Sequence, residues 1–142
     1  MELKIEDVMV HDVVAVKEAM TVESAVKLMN NHGIGSLVVL KQRKPAGIVT
    51  ERDMLTRVLL ASKDPAKTKV GDIMSQPLIV GTPQMKLKEA VNLMIKKKIK
   101  KLPITKNGDL VGLMTLTDIL NFQPELLRIY EYLRADITKK IR

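Results

Sequence analysis

Shifted by 65 residues, the chain falls on itself without a gap from Asp7 to Leu55. Asp7 and Met9 meet Asp72 and Met74. Ala25, Val26, Leu28 and Met29 meet Ala90, Val91, Leu93 and Met94. Ile34 and Leu37 meet Ile99 and Leu102, and Gly47, Thr50, Asp53 and Leu55 meet Gly112, Thr115, Asp118 and Leu120. Chance matches a few apolar positions. It does not readily match a glycine, a threonine and two aspartates in the same register, so the chain contains one α/β unit twice. A unit of about 60 residues buries too little surface to be secure alone. The expected solution is two copies packed face to face, with two equivalent clefts where ligands tend to sit.

Each copy shows the same order of patterns. Val13–Val16 and Leu78–Val80 are short β-branched runs and predict strands. Val22, Ala25, Val26 and Met29 follow the i, i+3, i+4, i+7 spacing of an amphipathic helix, repeated by Leu87, Ala90, Val91 and Met94. Thr21 suits the N-cap of the first helix and Gly33 its C-terminal end. Hairpins follow, from Leu37–Leu40 to Ala46–Thr50 and from Leu102–Thr105 to Leu110–Thr115. The second turn contains Asn107-Gly108, which tolerates positive φ at both residues. A helix begins after each hairpin, near Glu51 and near Leu116. Each unit therefore reads β-α-β-β-α.

Composition narrows the chemistry. There are no cysteines, so disulfides and thiolate metal sites are excluded. His11 and His32 are the only histidines, far apart in sequence, against the three or four good ligands that a metal site needs. No P-loop, G-x-G-x-x-G or G-x-S-x-G segment occurs, and no serine has a recognisable base beside it. The expectation is a protein with no catalytic activity, no catalytic cofactor and no metal. No apolar run is long enough to cross a bilayer and the first residues lack a signal-like apolar stretch, which favours a cytoplasmic location. The net charge is +8, and residues 71–142 carry +6 of it. Lys96, Lys97, Lys98, Lys100 and Lys101 supply much of that excess. Such a cluster suits phosphate or nucleic acid, but also a solvated helix end whose dipole it complements.

Gly47-Ile48-Val49-Thr50-Glu51-Arg52-Asp53 and Gly112-Leu113-Met114-Thr115-Leu116-Thr117-Asp118 sit where a strand hands over to a helix. The glycine allows close backbone approach. A carboxylate can accept both hydrogens of a ribose diol, and a threonine hydroxyl beside free N–H groups can hold phosphate. Thr-x-x-Asp before an apolar run is also a helix start signal that needs no ligand. Both readings stand at this level.

These two segments, with the upstream Asp7-Val8-Met9 and Asp72-Ile73-Met74, resemble the motif of the cystathionine-β-synthase (CBS) domain over about residues 5–122. The resemblance implies two CBS motifs packed about a pseudo-twofold axis as a Bateman module: motif 1 over 1–62, a linker over 63–69, motif 2 over 70–122, and a C-terminal helix over 123–142. It implies an adenine-nucleotide ligand of the AMP, ADP or ATP class, with S-adenosylmethionine less favoured. By position it assigns Thr50 and Asp53 to one nucleotide and Thr115 and Asp118 to the other. Val14, Ala15, Gly35 and Ser36 then line one adenine pocket, and Ile79, Val80, Lys101 and Pro103 the other. Lys100 and Lys101 meet phosphate in the second site, where Lys is a mobile point charge, and Arg52 serves the first. The expected output is regulation of another protein by a homodimer. The alternative is a nucleic-acid-binding or assembly module using the lysine cluster, although one Phe, two Tyr and no Trp leave few stacking platforms. Leu126, Tyr130, Leu133 and Ile137 form a short heptad-like seam outside the repeat.

Overall fold

A computed structural model describes residues 2–128 and 130–132. In chain order the elements are β1 (Ala15–Lys17), α1 (Val22–His32), β2 (Ser36–Lys41), β3 (Lys44–Thr50), α2 (Glu51–Asp53), α3 (Val70–Ile73), α4 (Leu87–Lys97), β4 (Lys101–Lys106), β5 (Asp109–Thr115) and α5 (Leu116–Phe122). They sort into two compact units. The first is Val13–Ile79, and the second joins Met1–Asp12 to the chain from Val80 onward. Each unit thus pairs the hairpin of one repeat with the opening segment of the other.

In the first unit β2 is central, parallel to β1 and antiparallel to β3. Helix α1 buries Val22, Ala25 and Met29 against this sheet's core, which includes Leu37, Val39 and Val49. The Thr21 hydroxyl accepts a hydrogen bond from the Ser24 N–H at 3.2 Å, and Gly33 ends the helix in the left-handed region at φ 63°. The opening segment of the second repeat closes the unit. Val70 donates to the Met20 carbonyl, and Ser75 and Ile48 exchange both backbone bonds at 2.9 and 3.1 Å. Between these anchors Met74 lies on Gly47. A Cβ at residue 47 would stand 2.5 Å from Met74 Sδ and 2.8 Å from the Ser75 carbonyl oxygen. The close approach that this glycine permits is therefore to a methionine of the same unit.

The second unit repeats this construction with the chain's first residues. Ile5 donates to the Met85 carbonyl, Val10 and Leu113 exchange bonds at 3.0 and 2.9 Å, and Ile5 is wholly buried. Met9 lies on Gly112, where an added Cβ would meet Met9 Sδ at 2.7 Å. Lys86 Nζ lies 2.8 Å from Glu2 Oε2. The hydrogen bond and charge of Lys86 hold the Glu2 carboxyl below its ordinary value, although both groups are exposed and add little stability.

The strand expected at Leu78–Val80 does not form. Gly81 makes a single parallel bridge to Ile104, donating to the Pro103 carbonyl and accepting from the Thr105 N–H. Extending that ladder would require the N–H of residue 103 on one side and of residue 83 on the other, and both are proline. In the first unit the matching donor at residue 83's position is Glu18, whose N–H reaches the Leu40 carbonyl at 3.0 Å. At the other end β1 starts at Ala15, later than the expected Val13.

Three further features differ from the expectation. The spacing predicts a buried Val26 in α1, yet this residue is 44% exposed, whereas Val91 at the same place in α4 is 1% exposed. Helix α2 passes after one turn into a π-helical stretch, Met54–Leu59, with the Leu60 N–H reaching back to the Leu55 carbonyl. The first hairpin turns on two residues, Gln42 and Arg43, both at positive φ without glycine. Beyond α5, residues 126–128 and 130–132 are helical and Leu126 is buried. Of the seam, Leu133 and Ile137 lie outside the described residues, as does the end of the helix expected over 123–142.

The methionine contacts make Gly47 the costlier position to fill, because backbone as well as side chain must move. Gly47→Ala should lose about 2–3 kcal/mol in urea unfolding, and Gly112→Ala less, by the usual cost of overpacking. Lys98 holds the left-handed C-terminal position that Gly33 holds in the first repeat, at φ 58°. Lys98→Gly should therefore raise stability, by about 0.5–1 kcal/mol in the same assay.

Candidate functional site

In both units the end of the hairpin presents the same four backbone positions. In the first, Ser36 opens β2 opposite Thr50, the last residue of β3, and the Glu51 N–H donates to the Gly35 carbonyl at 3.0 Å. In the second, Lys101 opens β4 opposite Thr115, and the Leu116 N–H donates to the Lys100 carbonyl at 2.9 Å. Gly35, Ser36, Thr50 and Asp53 are thereby gathered in one unit, and Lys100, Lys101, Thr115 and Asp118 in the other. Ala15 joins the first sheet opposite Val38, with Val14 just before it, and Pro103 stands opposite Leu113 in the second. Val80 belongs to the second unit, but Ile79 belongs to the first. Arg52 is exposed on α2, its carbonyl accepting from the Thr56 hydroxyl.

Both threonines cap their helices. The Asp53 N–H donates to Thr50 Oγ1 at 3.3 Å and the Asp118 N–H to Thr115 Oγ1 at 3.1 Å. The carboxylates differ. Asp53 Oδ2 accepts from the Thr50 N–H at 2.9 Å and from the Thr50 hydroxyl at 3.1 Å, completing a capping box. Its Oδ1 lies 3.6 Å from Arg57 Nε, one helical turn on. Asp53 is buried to match. Arg57 is itself anchored, donating through Nη1 to the carbonyls of Ile73 and Met74 at 2.9 and 3.1 Å. In the second unit Phe122 stands where Arg57 stands in the first, and the half-buried Asp118 carboxylate accepts no hydrogen bond among the described residues.

The CBS domain family matches residues 5–60 and 70–125. The chain belongs to the CBS domain family. Among relatives, an uncharacterised protein of Methanopyrus kandleri is 43% identical over 114 residues, covering 77% of this chain and 58% of its own length. The CBS domain-containing protein YhcV of Bacillus subtilis is 34% identical over 115 residues, covering 81% of each chain. Among solved structures, a hexameric CBS-CP12 protein from bloom-forming cyanobacteria superposes with a TM-score of 0.78 at 28% identity, covering 90% of this chain and 75% of that one. The architecture is accordingly a mixed α/β pair of CBS motifs, consistent with a Bateman module.

Glu51 and Arg57 were not among the expected site residues of this CBS pair. Glu51 occupies a variable position of Gly-x-x-Thr-x-x-Asp, so the motif hides it. Arg57 lies four residues after Asp53, a spacing that the sequence does display. Two surface grooves of the first unit run along α1 and the turn after α2. One is lined by Met29, Ile34, Glu51 and Leu55, the other by Val22, Val26, Val58 and Leu59. Neither reaches Thr50 or Asp53. Among the described residues no cluster of His, Asp or Glu could hold a metal ion, and no helix is long and apolar enough to cross a membrane.

The unequal carboxylates set unequal structural costs. Asp53→Ala removes a full capping box and an ion pair, and should lose about 2 kcal/mol in urea unfolding. Asp118→Ala removes no such bonds and should lose less than about 0.5 kcal/mol. Equal losses would show that Asp118 carries a structural bond of the same kind.

Proposed function

We propose that the chain is a regulatory module that binds an adenine nucleotide of the AMP, ADP or ATP class, has no catalytic activity of its own, and passes its state to a separate protein. The observation that carries this reading is the twofold occurrence of Thr and Asp at the junction of hairpin and helix, in a chain of the CBS family. A carboxylate there can accept both hydroxyl hydrogens of a ribose, and the threonine side chain faces the same junction. In the first unit the positions for a base-binding wall are Val14, Ala15, Gly35 and Ser36, with Arg52 at the phosphate edge. In the second they are Val80, Lys101 and Pro103, with Lys100 at the phosphate edge. S-adenosylmethionine ranks below the nucleotides, because its sulfonium and ammonium groups meet no advantage in a lysine-rich edge.

Regulation further requires that the nucleotide favour one of two states of the protein. Self-association is part of the proposal, because the first unit leaves Val26, Leu55, Leu59 and Leu60 exposed, Leu59 at 70% and Leu60 at 77%. Isolated apolar side chains on a surface need no explanation, but four on neighbouring turns of two helices suit a contact with another copy. The hexameric relative is a precedent for assembly in this family.

Thermal unfolding with AMP, ADP, ATP, S-adenosylmethionine and GTP tests the ligand. An adenine nucleotide at 100 times its dissociation constant should stabilise by about 2.7 kcal/mol, raising the midpoint by about 5–10 °C. No shift with any adenine ligand, in protein stripped of co-purified nucleotide, removes the reading. Light scattering after size-exclusion chromatography should give a dimer that Leu55→Glu/Leu59→Glu turns into a monomer; a monomeric wild type discards self-association.

A further inference from the structure

The two repeats carry opposite charges in the same backbone-bonded pair of positions, Gly35 with Glu51 and Lys100 with Leu116. A Cβ built on Gly35 would lie 2.8 Å from Glu51 Oε1, so the Glu51 carboxylate stands directly over the small residue that edges the first site. At the corresponding place in the second unit the pair is Lys100 and Leu116, joined by the same backbone bond. A carboxylate over glycine has become an aliphatic side chain beside lysine. Lys100 and Lys101 add two positive charges at that edge, whereas in the first unit the negative charge of Glu51 offsets the positive charge of Arg52 beside it.

The aspartates differ in the same sense. The Asp53 carboxylate is spent on the Thr50 N–H, the Thr50 hydroxyl and Arg57. To accept a ribose diol it would have to give up bonds that a buried carboxylate loses at a cost. Among the described residues the Asp118 carboxylate accepts no such bond, and only the Asp118 N–H is engaged, with the threonine hydroxyl. Electrostatics and hydrogen bonding are independent features, and both favour the second unit for an anionic ligand that carries a diol.

We propose that the two sites are unequal by construction: the phosphate-bearing nucleotide is held at Thr115, Asp118 and Lys100, and Glu51 rejects it from the site at Thr50 and Asp53. This deepens the nucleotide-binding reading and rests on it. Glu51 is a specificity determinant of the repulsive kind, where a like charge discriminates without contributing affinity to anything. The first site keeps its threonine and aspartate as a helix cap, and the second uses the same residues for ligand.

Isothermal titration of the 142-residue chain with adenosine, AMP and ATP tests the assignment. Wild-type protein should take one AMP per chain. Asp118→Asn, which keeps the threonine cap, should weaken AMP at least about tenfold, the loss of a good charged hydrogen bond. Lys100→Glu changes an exposed side chain and should weaken AMP and ATP more than adenosine. Glu51→Gln keeps the shape and removes the charge, and should bring in a second AMP equivalent. The midpoint of thermal unfolding in each variant confirms that it is folded. Two AMP molecules of similar affinity in the wild type, an Asp118→Asn protein that binds AMP as well as wild type, or a Glu51→Gln protein still limited to one AMP would each overturn the inference while leaving the nucleotide-binding reading intact. Wild-type protein that binds none of the three overturns both.

Discussion

The contact on which each unit depends is a methionine lying on a glycine of the hairpin's second strand. Met74 on Gly47 and Met9 on Gly112 bring a backbone segment within hydrogen-bonding distance of a strand that has no other neighbour on that side. Any Cβ on the glycine would hold the methionine off and break the bridge beside it. Burial of Met74, with 7% exposure, then joins Val49, Val70 and Ile73 in one core. Methionine suits this task because an unbranched, polarizable side chain fills an irregular gap above bare backbone. The Gly and the Met of the repeated motifs are thus explained by packing, which leaves the Thr and the Asp as the residues whose role packing does not exhaust.

Exchange of opening segments follows from those contacts. The residues just before Val13 complete the second unit, and those from Val70 to Ile79 complete the first. A single repeat would therefore lack the segment that covers its own glycine. This gives the duplication a physical rationale beyond the marginal size of one unit: each hairpin obtains its missing edge from the other repeat. It also explains why the N-terminal residues are as firmly bonded as any loop in the interior of the chain, with Ile5 fully buried and Leu3 accepting from the Leu87 N–H.

Much of the fold was legible in the sequence because the repeat tests every pattern twice. The stripe of α4, the Thr21 and Gly33 caps and the Asn107-Gly108 hairpin follow from spacing and turn chemistry, whereas the first hairpin follows from its two apolar runs and not from its turn, which has no glycine. The missing strand before Gly81 was legible in principle, since Pro83 and Pro103 withdraw the two donors, but only once the parallel partner is known. Val26 was misplaced because a heptad-like spacing marks an apolar face without saying whether anything covers it. The exchange of segments was not legible at all: the repeat register places Asp7 to Met9 in the first copy, and no local pattern reveals that their partner is Gly112. At the candidate site, Thr and Asp were visible as a motif, whereas the state of each carboxylate depended on Arg57 and Phe122, residues outside it.

A repeated Thr-x-x-Asp can serve its own helix or something else, and the two uses compete for the same oxygens. When the aspartate reaches back to the threonine N–H, the helix start is satisfied internally and the carboxylate is desolvated. When it does not, the threonine hydroxyl still caps the helix through one bond, and the carboxylate keeps its acceptor capacity. The first unit adopts the former arrangement and secures it with Arg57, which also satisfies two carbonyls at the end of α3. The second adopts the latter, with no cation in Arg57's place. Duplication supplies two copies of one device, and the copy whose carboxylate closes the capping box is also the one with a cation four residues downstream. The acceptor in the other copy lies at the hairpin end where Lys100 and Lys101 open β4, so that hydrogen-bonding capacity and positive charge share one end of one hairpin.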